Sequence, residues 1–246
     1  MQNKAYVGFG AVSRGIMGSF LDPSFYIQYR GMRPEWVDMT EILRRMDQGI
    51  YDPEEFAEAL AWVKEHCKEG YDPNPQERAH TREQKDREWE FVVKMTMIIR
   101  DVMLGNEKLD ALGFKEEALG RNGLFGGFQG QRMWTDYQPN GDFTEAILNS
   151  SFDWRGKRQP MVFATENDNL NGLSMLFGNL LTGKASGFSD VRCYWSPEAV
   201  ERVTGWKPEG DAKEGFIHLI NSGSTCLDAT GKSTDADGNG VMKPWW

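Results

Sequence analysis

Met161-Val-Phe-Ala-Thr-Glu166-Asn-Asp168-Asn-Leu-Asn-Gly172 decides the fold. A short apolar run meets a carboxylate, then an Asn/Asp cluster, then Leu170-Asn-Gly-Leu-Ser-Met-Leu-Phe177. That order is a buried strand, a tight polar turn and a helix opened by an Asx cap. In open α/β sheets ligands sit at the carboxyl ends of strands, and Glu166 lies at that end. A second carboxylate, Asp190, follows in Gly187-Phe-Ser-Asp190-Val-Arg192.

Working outward, the fold class is α/β over residues 1–181, with a mainly parallel sheet flanked by helices. Residues 182–246 change pattern and read as a partial β-rich piece, with the boundary near residues 182–184. The first strand is Ala5-Tyr-Val-Gly-Phe-Gly10. The turn after it, Gly10-Ala-Val-Ser-Arg14-Gly-Ile-Met-Gly18, lacks both the Gly-Lys-Ser/Thr ending of a phosphate loop and the dinucleotide glycine spacing. It better suits a turn that lets backbone or Arg14 approach a small polar ligand.

Asp38-Met-Thr-Glu41 and Asp52-Pro-Glu-Glu55 are capping boxes for helices expected to end near Gly49 and Gly70. A long helix is expected over residues 75–104, polar from Gln76 to Glu88 and apolar nearly all round from Phe91. Leu124-Phe-Gly-Gly-Phe-Gln129-Gly-Gln131-Arg-Met-Trp134-Thr-Asp136 mixes glycine with amides, Arg, Trp and Asp. Such a loop can fork amides onto sugar hydroxyls and cover a ring with an aromatic face, or can be a structural loop. A short helix at residues 144–149, strands at 188–195 and 216–220, and a helix capped by Ser196-Pro-Glu198 complete the pattern.

Composition narrows function. The chain has 246 residues, 39% hydrophobic and 26% charged, as in ordinary globular proteins. A net charge of −9, with no basic block, argues against a phosphate-backbone partner. No apolar run approaches the ~20 residues of a membrane-spanning helix, and a cytoplasmic location is expected. Cys67, Cys193 and Cys226 are too scattered for a disulfide framework or a zinc site. Asp235-Ala-Asp237-Gly-Asn239-Gly240 imitates a calcium loop but has Trp246 where the bidentate acid belongs. His66, His80 and His218 have no ligand partner at helical or hairpin spacing, and His218 reads as a satisfied core histidine. Both ends look cut, the last on Trp245-Trp246.

Glu166 and Asp190 are hard oxygen donors, suited to Mn²⁺ or Mg²⁺. A metal there could hold two vicinal sugar oxygens, with a carboxylate moving the proton. Strand-end carboxylates serve glycosidases, kinases and plain salt bridges as well, so spacing alone leaves the chemistry open.

Six blocks stand together in this chain: Gly127-Phe-Gln-Gly-Gln-Arg132, Glu145-Ala-Ile-Leu-Asn-Ser-Ser-Phe-Asp-Trp154, Ala164-Thr-Glu-Asn-Asp168, Asp190-Val-Arg192, Tyr194-Trp-Ser-Pro-Glu198 and His218-Leu-Ile-Asn-Ser-Gly-Ser224. On these blocks the chain resembles the L-fucose isomerase family. They fall in order along essentially the whole chain. The resemblance implies an aldose–ketose isomerase that converts L-fucose to L-fuculose and also accepts D-arabinose, through an enediol. It implies a Mn²⁺ cofactor, a cytoplasmic homohexamer, and a match to the second domain and the opening of the third. By the same resemblance Glu166 and Asp190 are the catalytic and metal-binding carboxylates, and Gln129 and Ser222, with Arg14 in the glycine turn, lie near the sugar. The family's third ligand, a histidine, lies beyond the matched blocks, so this segment alone is expected to be inactive. A related L-arabinose isomerase and a non-catalytic sugar-binding or assembly module are the alternatives.

Overall fold

A computed structural model describes the chain except for residues 12, 14, 15, 21, 68, 70–74, 130–138, 222–224 and 228–246. In chain order its elements are β1 (Ala5–Phe9), α1 (Pro23–Arg30), β2 (Arg33–Val37), α2 (Met39–Asp47), α3 (Pro53–His66), α4 (Arg82–Leu104), α5 (Glu107–Ala111) and β3 (Gly123–Phe128). There follow α6 (Asp142–Asn149), the two-residue strands β4 (Phe152–Asp153) and β5 (Gly156–Lys157), β6 (Val162–Ala164), α7 (Asn169–Thr182), β7 (Asp190–Trp195), α8 (Pro197–Thr204) and β8 (Phe216–Ile220).

The α/β expectation holds. Four parallel strands run in the order β2-β1-β3-β6. The chain moves outward from β1 to β2, then returns to the other side of β1 for β3 and β6. The order therefore reverses between β1 and β3. Above the carboxyl ends of such a pair lies the crevice where open sheets take their ligands. Gly10 and Ala11 leave β1 at that end, Gln129 leaves β3, and Glu166 follows β6 beside them.

Both faces of this sheet are covered, so all five residues of β1 are buried and its alternation is hidden in a continuous apolar run. Ala5, Val7 and Phe9 join a core with Ile42, Val63, Met95, Ile98 and Phe163, from α2, α3, α4 and β6. Tyr6 faces the other way, with Tyr26, Phe125, Leu173 and Leu176 against α1 and α7. Each large apolar side chain so buried contributes roughly 1.5–3 kcal/mol.

Several boundaries differ from expectation. The long helix starts at Arg82, not near Pro75. Thr81 and Gln84 bond reciprocally across its first turn, a capping box that stands in the sequence as Thr-x-x-Gln. The helix opened by Asp52 ends at His66, four residues before Gly70. Asp38 and Asp52 cap α2 and α3 as expected, but Glu41 and Glu55 turn to arginines instead of closing their boxes. The glycine-rich stretch expected to be a loop begins as the interior strand β3, and its continuation at 130–138 lies outside the described residues. His218 sits half-buried on β8, outside both core clusters, with Nδ1 accepting a 3.3 Å bond from Trp195 Nε1.

β7 and β8 form a separate two-stranded antiparallel ribbon with a register shift between Val191 and Cys193. Among the described residues no helix is long and apolar enough to cross a membrane.

Candidate active site

Glu166 occupies a single 3₁₀ turn, Thr165–Asn167, set between β6 and α7. Its φ of 58° and the 52° of Asn167 put two consecutive non-glycine residues in the left-handed region. That conformation costs roughly 1–2 kcal/mol per residue, so the surroundings must hold it. The turn buries Thr165 and Asn167 and leaves Glu166 half-exposed. Directly after it, Asp168 accepts from Asn171 N at 3.0 Å and caps α7.

Asp190 opens β7, half-buried, with its Oδ2 3.1 Å from an Arg192 nitrogen. The shift in the ribbon's register falls at Arg192, and bulges of this kind re-aim side chains. Glu166 and Asp190 are electrostatically coupled. Burial raises the Glu166 carboxyl above its ordinary value, the negative charge of Asp190 raises it further, and Arg192 pulls it back down. Asp168 is raised too, by burial and again by Asp190, against the backbone bonds it accepts. Arg192 is thus the counter-charge to both members of the pair. Sequence reasoning quoted it without giving it a role; an Asp-x-Arg at the start of a strand was the available signal.

A further carboxyl went unread. Glu145 on α6 is fully buried and raised well above the ordinary range by burial, then by Asp142, with Glu166 adding a smaller push. Its Oε2 accepts the Thr165 hydroxyl at 2.9 Å, and Asn221 donates to the same hydroxyl oxygen at 3.3 Å. An acid between Phe143 and Ile147, inside an apolar helix run, marks it in the sequence.

Gln129 follows β3. Its backbone N–H donates to Phe9 O at 2.9 Å and its Oε1 accepts from Ala11 N at 2.9 Å. Gly10 has a φ of 84°, and a Cβ there would lie 2.6 Å from Gln129 Oε1, so only glycine fits beside this side chain. The bond engages the carbonyl end of the amide and leaves its NH₂ end as a donor. Arg14 and Ser222 lie outside the described residues.

A divalent cation fits Glu166 and Asp190 as far as these two go. Both are hard oxygen donors, and their mutual repulsion is what a bound cation would relieve. Among the described residues no group of three or more His, Cys, Asp or Glu could hold a metal, so the pair would be a partial coordination shell.

Residues 4–183 match the model of the L-fucose isomerase second N-terminal domain. The chain is 62% identical over 246 residues to an L-fucose isomerase of Streptococcus pneumoniae (strain P1031), covering all of this chain and 42% of that protein. It is 60% identical over 248 residues to an L-fucose isomerase of Bacteroides fragilis (strain YCH46), with the same coverage of both. The chain therefore spans well under half the length of these relatives. With a domain match over residues 4–183, relatives 60–62% identical over the whole chain and a parallel sheet whose order reverses between β1 and β3, the chain belongs to the L-fucose isomerase family.

Proposed function

We propose that this chain forms the carboxylate-bearing part of an aldose–ketose isomerase that converts L-fucose to L-fuculose and accepts D-arabinose. The observation that carries this reading is the pair formed by Glu166, after the carboxyl end of β6, and Asp190, at the start of β7, whose charge raises the Glu166 carboxyl. Isomerisation moves one proton from C2 to C1 and one between the two oxygens, through an enediol. Each transfer needs a group whose proton affinity lies near that of the working solution. Burial and the Asp190 charge move Glu166 in that direction, and Glu166 is the group assigned to the carbon proton. Asp190, tethered by Arg192, is assigned to the hydroxyl proton.

Mn²⁺ held by Glu166, Asp190 and a histidine from elsewhere in a full-length subunit would polarise the sugar carbonyl and acidify the adjacent C–H. Gln129 offers its amide N–H to a sugar hydroxyl, and Arg14 and Ser222 complete the polar contacts. The β-rich segment from residue 182 is assigned to a second unit, and the full-length subunit to a cytoplasmic homohexamer.

Ketose formation from L-fucose with Mn²⁺ tests this, in the full-length subunit carrying these residues. Glu166→Gln and Asp190→Asn should each abolish turnover while leaving the fold intact by circular dichroism. Wild-type turnover by either variant would overturn the assignment.

A further inference from the structure

We infer that Asn167 is a positioning residue. Its buried amide holds Glu166 in the left-handed turn and ties it, through one backbone unit, to Gln129. The inference rests on the reading of Glu166 as the reacting carboxylate.

Glutamate has no local reason to sit at φ 58°, since its long side chain cannot bond back to the turn as Asn or Asp can. Something outside the turn must hold it there. Asn167 is wholly buried, and among the described residues the bonds of its amide run to β1 and its end. Oδ1 accepts the Tyr6 hydroxyl at 2.9 Å, while Nδ2 donates to Ala11 O at 2.8 Å and to Phe9 O at 3.2 Å. These partners lie more than 150 residues away in sequence, so the bonds clamp the turn to a distant strand end.

Ala11 is held at both ends of its backbone. Its N–H goes to Gln129 Oε1 and its C=O to Asn167 Nδ2. Phe9 O likewise accepts from both Gln129 N and Asn167 Nδ2. The ends of β1, β3 and β6 are thereby stitched into one polar clasp, with a side chain assigned to the sugar at one end and Glu166 at the other.

β3 makes room for the clasp. A Cβ on Gly127 would lie 2.7 Å from Asn167 Oδ1 and 2.9 Å from Ala164 O, and one atom of either kind would have to move. Tyr6, stacked on Tyr26 with ring centroids 5.4 Å apart, is itself fixed by packing, so its hydroxyl is a rigid anchor.

The test is run in the full-length subunit with Mn²⁺. Asn167→Gly accepts the left-handed backbone without strain and removes only the clasp. It should lower kcat about 100-fold, the cost of a misplaced reacting group, with a smaller change in KM for L-fucose. Mn²⁺ affinity, read by the paramagnetic resonance signal of the free ion, should fall about 10-fold or more. Tyr6→Phe keeps the ring stack and removes one bond; kcat should fall about 2- to 10-fold.

Val63→Ala, a core truncation on the opposite sheet face, controls for lost stability and should leave kcat and Mn²⁺ affinity unchanged below its melting range. Should Asn167→Gly fail to fold, Tyr6→Phe carries the test alone. Wild-type kcat and Mn²⁺ affinity in whichever of these variants folds would overturn the inference. So would equal losses in Val63→Ala, which would make the effect one of stability alone. Glu166→Gln, assayed in parallel, separates the two readings. An active Glu166→Gln overturns the functional assignment, whereas an inactive one beside an unimpaired Asn167→Gly overturns only the positioning role.

Discussion

The two carboxylates stand on unlike supports. Glu166 rises from a sheet whose interior strands are buried on both faces, between two cores and clamped by the Asn167 amide. Asp190 opens a two-stranded ribbon that leaves Val191 73%, Tyr194 61% and Ile217 63% exposed. Two strands alone are marginal in water, and this ribbon is tied to the sheet body mainly at its ends. Asn171 donates to Ser189 O, Phe188 is buried against α7, and Asn221 reaches Thr165. A site built this way has one carboxylate fixed by packing and one carried on an element held by few bonds. The two share one counter-charge, Arg192, which pairs with Asp190 and pulls the Glu166 carboxyl back down.

The contrast breaks most plainly in stability. Phe163→Ala empties a fully buried position of β6 and should cost about 3–5 kcal/mol, lowering Tm by roughly 6–20 °C. Ile217→Ala on the ribbon should stay within about 0.5 kcal/mol in the same melting experiment. A large loss at Ile217 would mean the ribbon is packed after all.

Charge is the next lever. Arg192→Ala removes the counter-charge, so the Glu166 carboxyl should titrate higher; Asp190→Asn removes the like charge, so it should titrate lower. Carboxyl carbon shifts followed by NMR would read both, and movement in the same direction would refute the coupling. Stability should change by no more than about 1 kcal/mol in Arg192→Ala, because the guanidinium side of the ion pair is half-exposed and screened by water.

A smaller effect tests the buried acid behind the turn. The folded value of Glu145 lies above its unfolded one, so its contribution to stability is full below the ordinary glutamate range. It is lost as pH rises through the raised folded value. Glu145→Gln keeps an acceptor for Thr165 and cannot ionise. Its stability relative to wild type should therefore grow with pH across that window, in thermal melts taken at a series of pH values. A difference that shrinks as pH rises would contradict the burial of a protonated carboxyl.

Much of this was legible in the sequence, for identifiable reasons. Met161 to Gly172 gave strand, turn and helix because an apolar run, an Asp cap and helical periodicity all agree there. β3 was hidden because Gly126 and Gly127 look like loop residues; the strand needs them for the close approach of Val7 O and of Asn167. β2, with Pro34 as its second residue, is tolerated only as an edge strand, which no local pattern announces. α1, opened by Asp22 with Pro23 at its first position, did carry a readable start signal. At the site, Glu166 stands out as a carboxylate at a strand's carboxyl end, whereas the roles expected of Asp190 and Gln129 came from the family resemblance. Arg192 and Glu145 left local signals, an Asp-x-Arg and an acid within an apolar helix run, but their effect on Glu166 depends on the fold. The Asn167 clasp rests on partners more than 150 residues away that spacing could not reveal.

The account turns on Glu166 and Asp190 acting as one metal-binding unit, and Mn²⁺ affinity in a double-mutant cycle measures that directly. In the full-length subunit, Glu166→Gln and Asp190→Asn should each weaken Mn²⁺ binding at least about 10-fold, and the double variant should lose less than the sum of the two free energies. Affinity unchanged in both single variants, or losses that add without coupling, would contradict it.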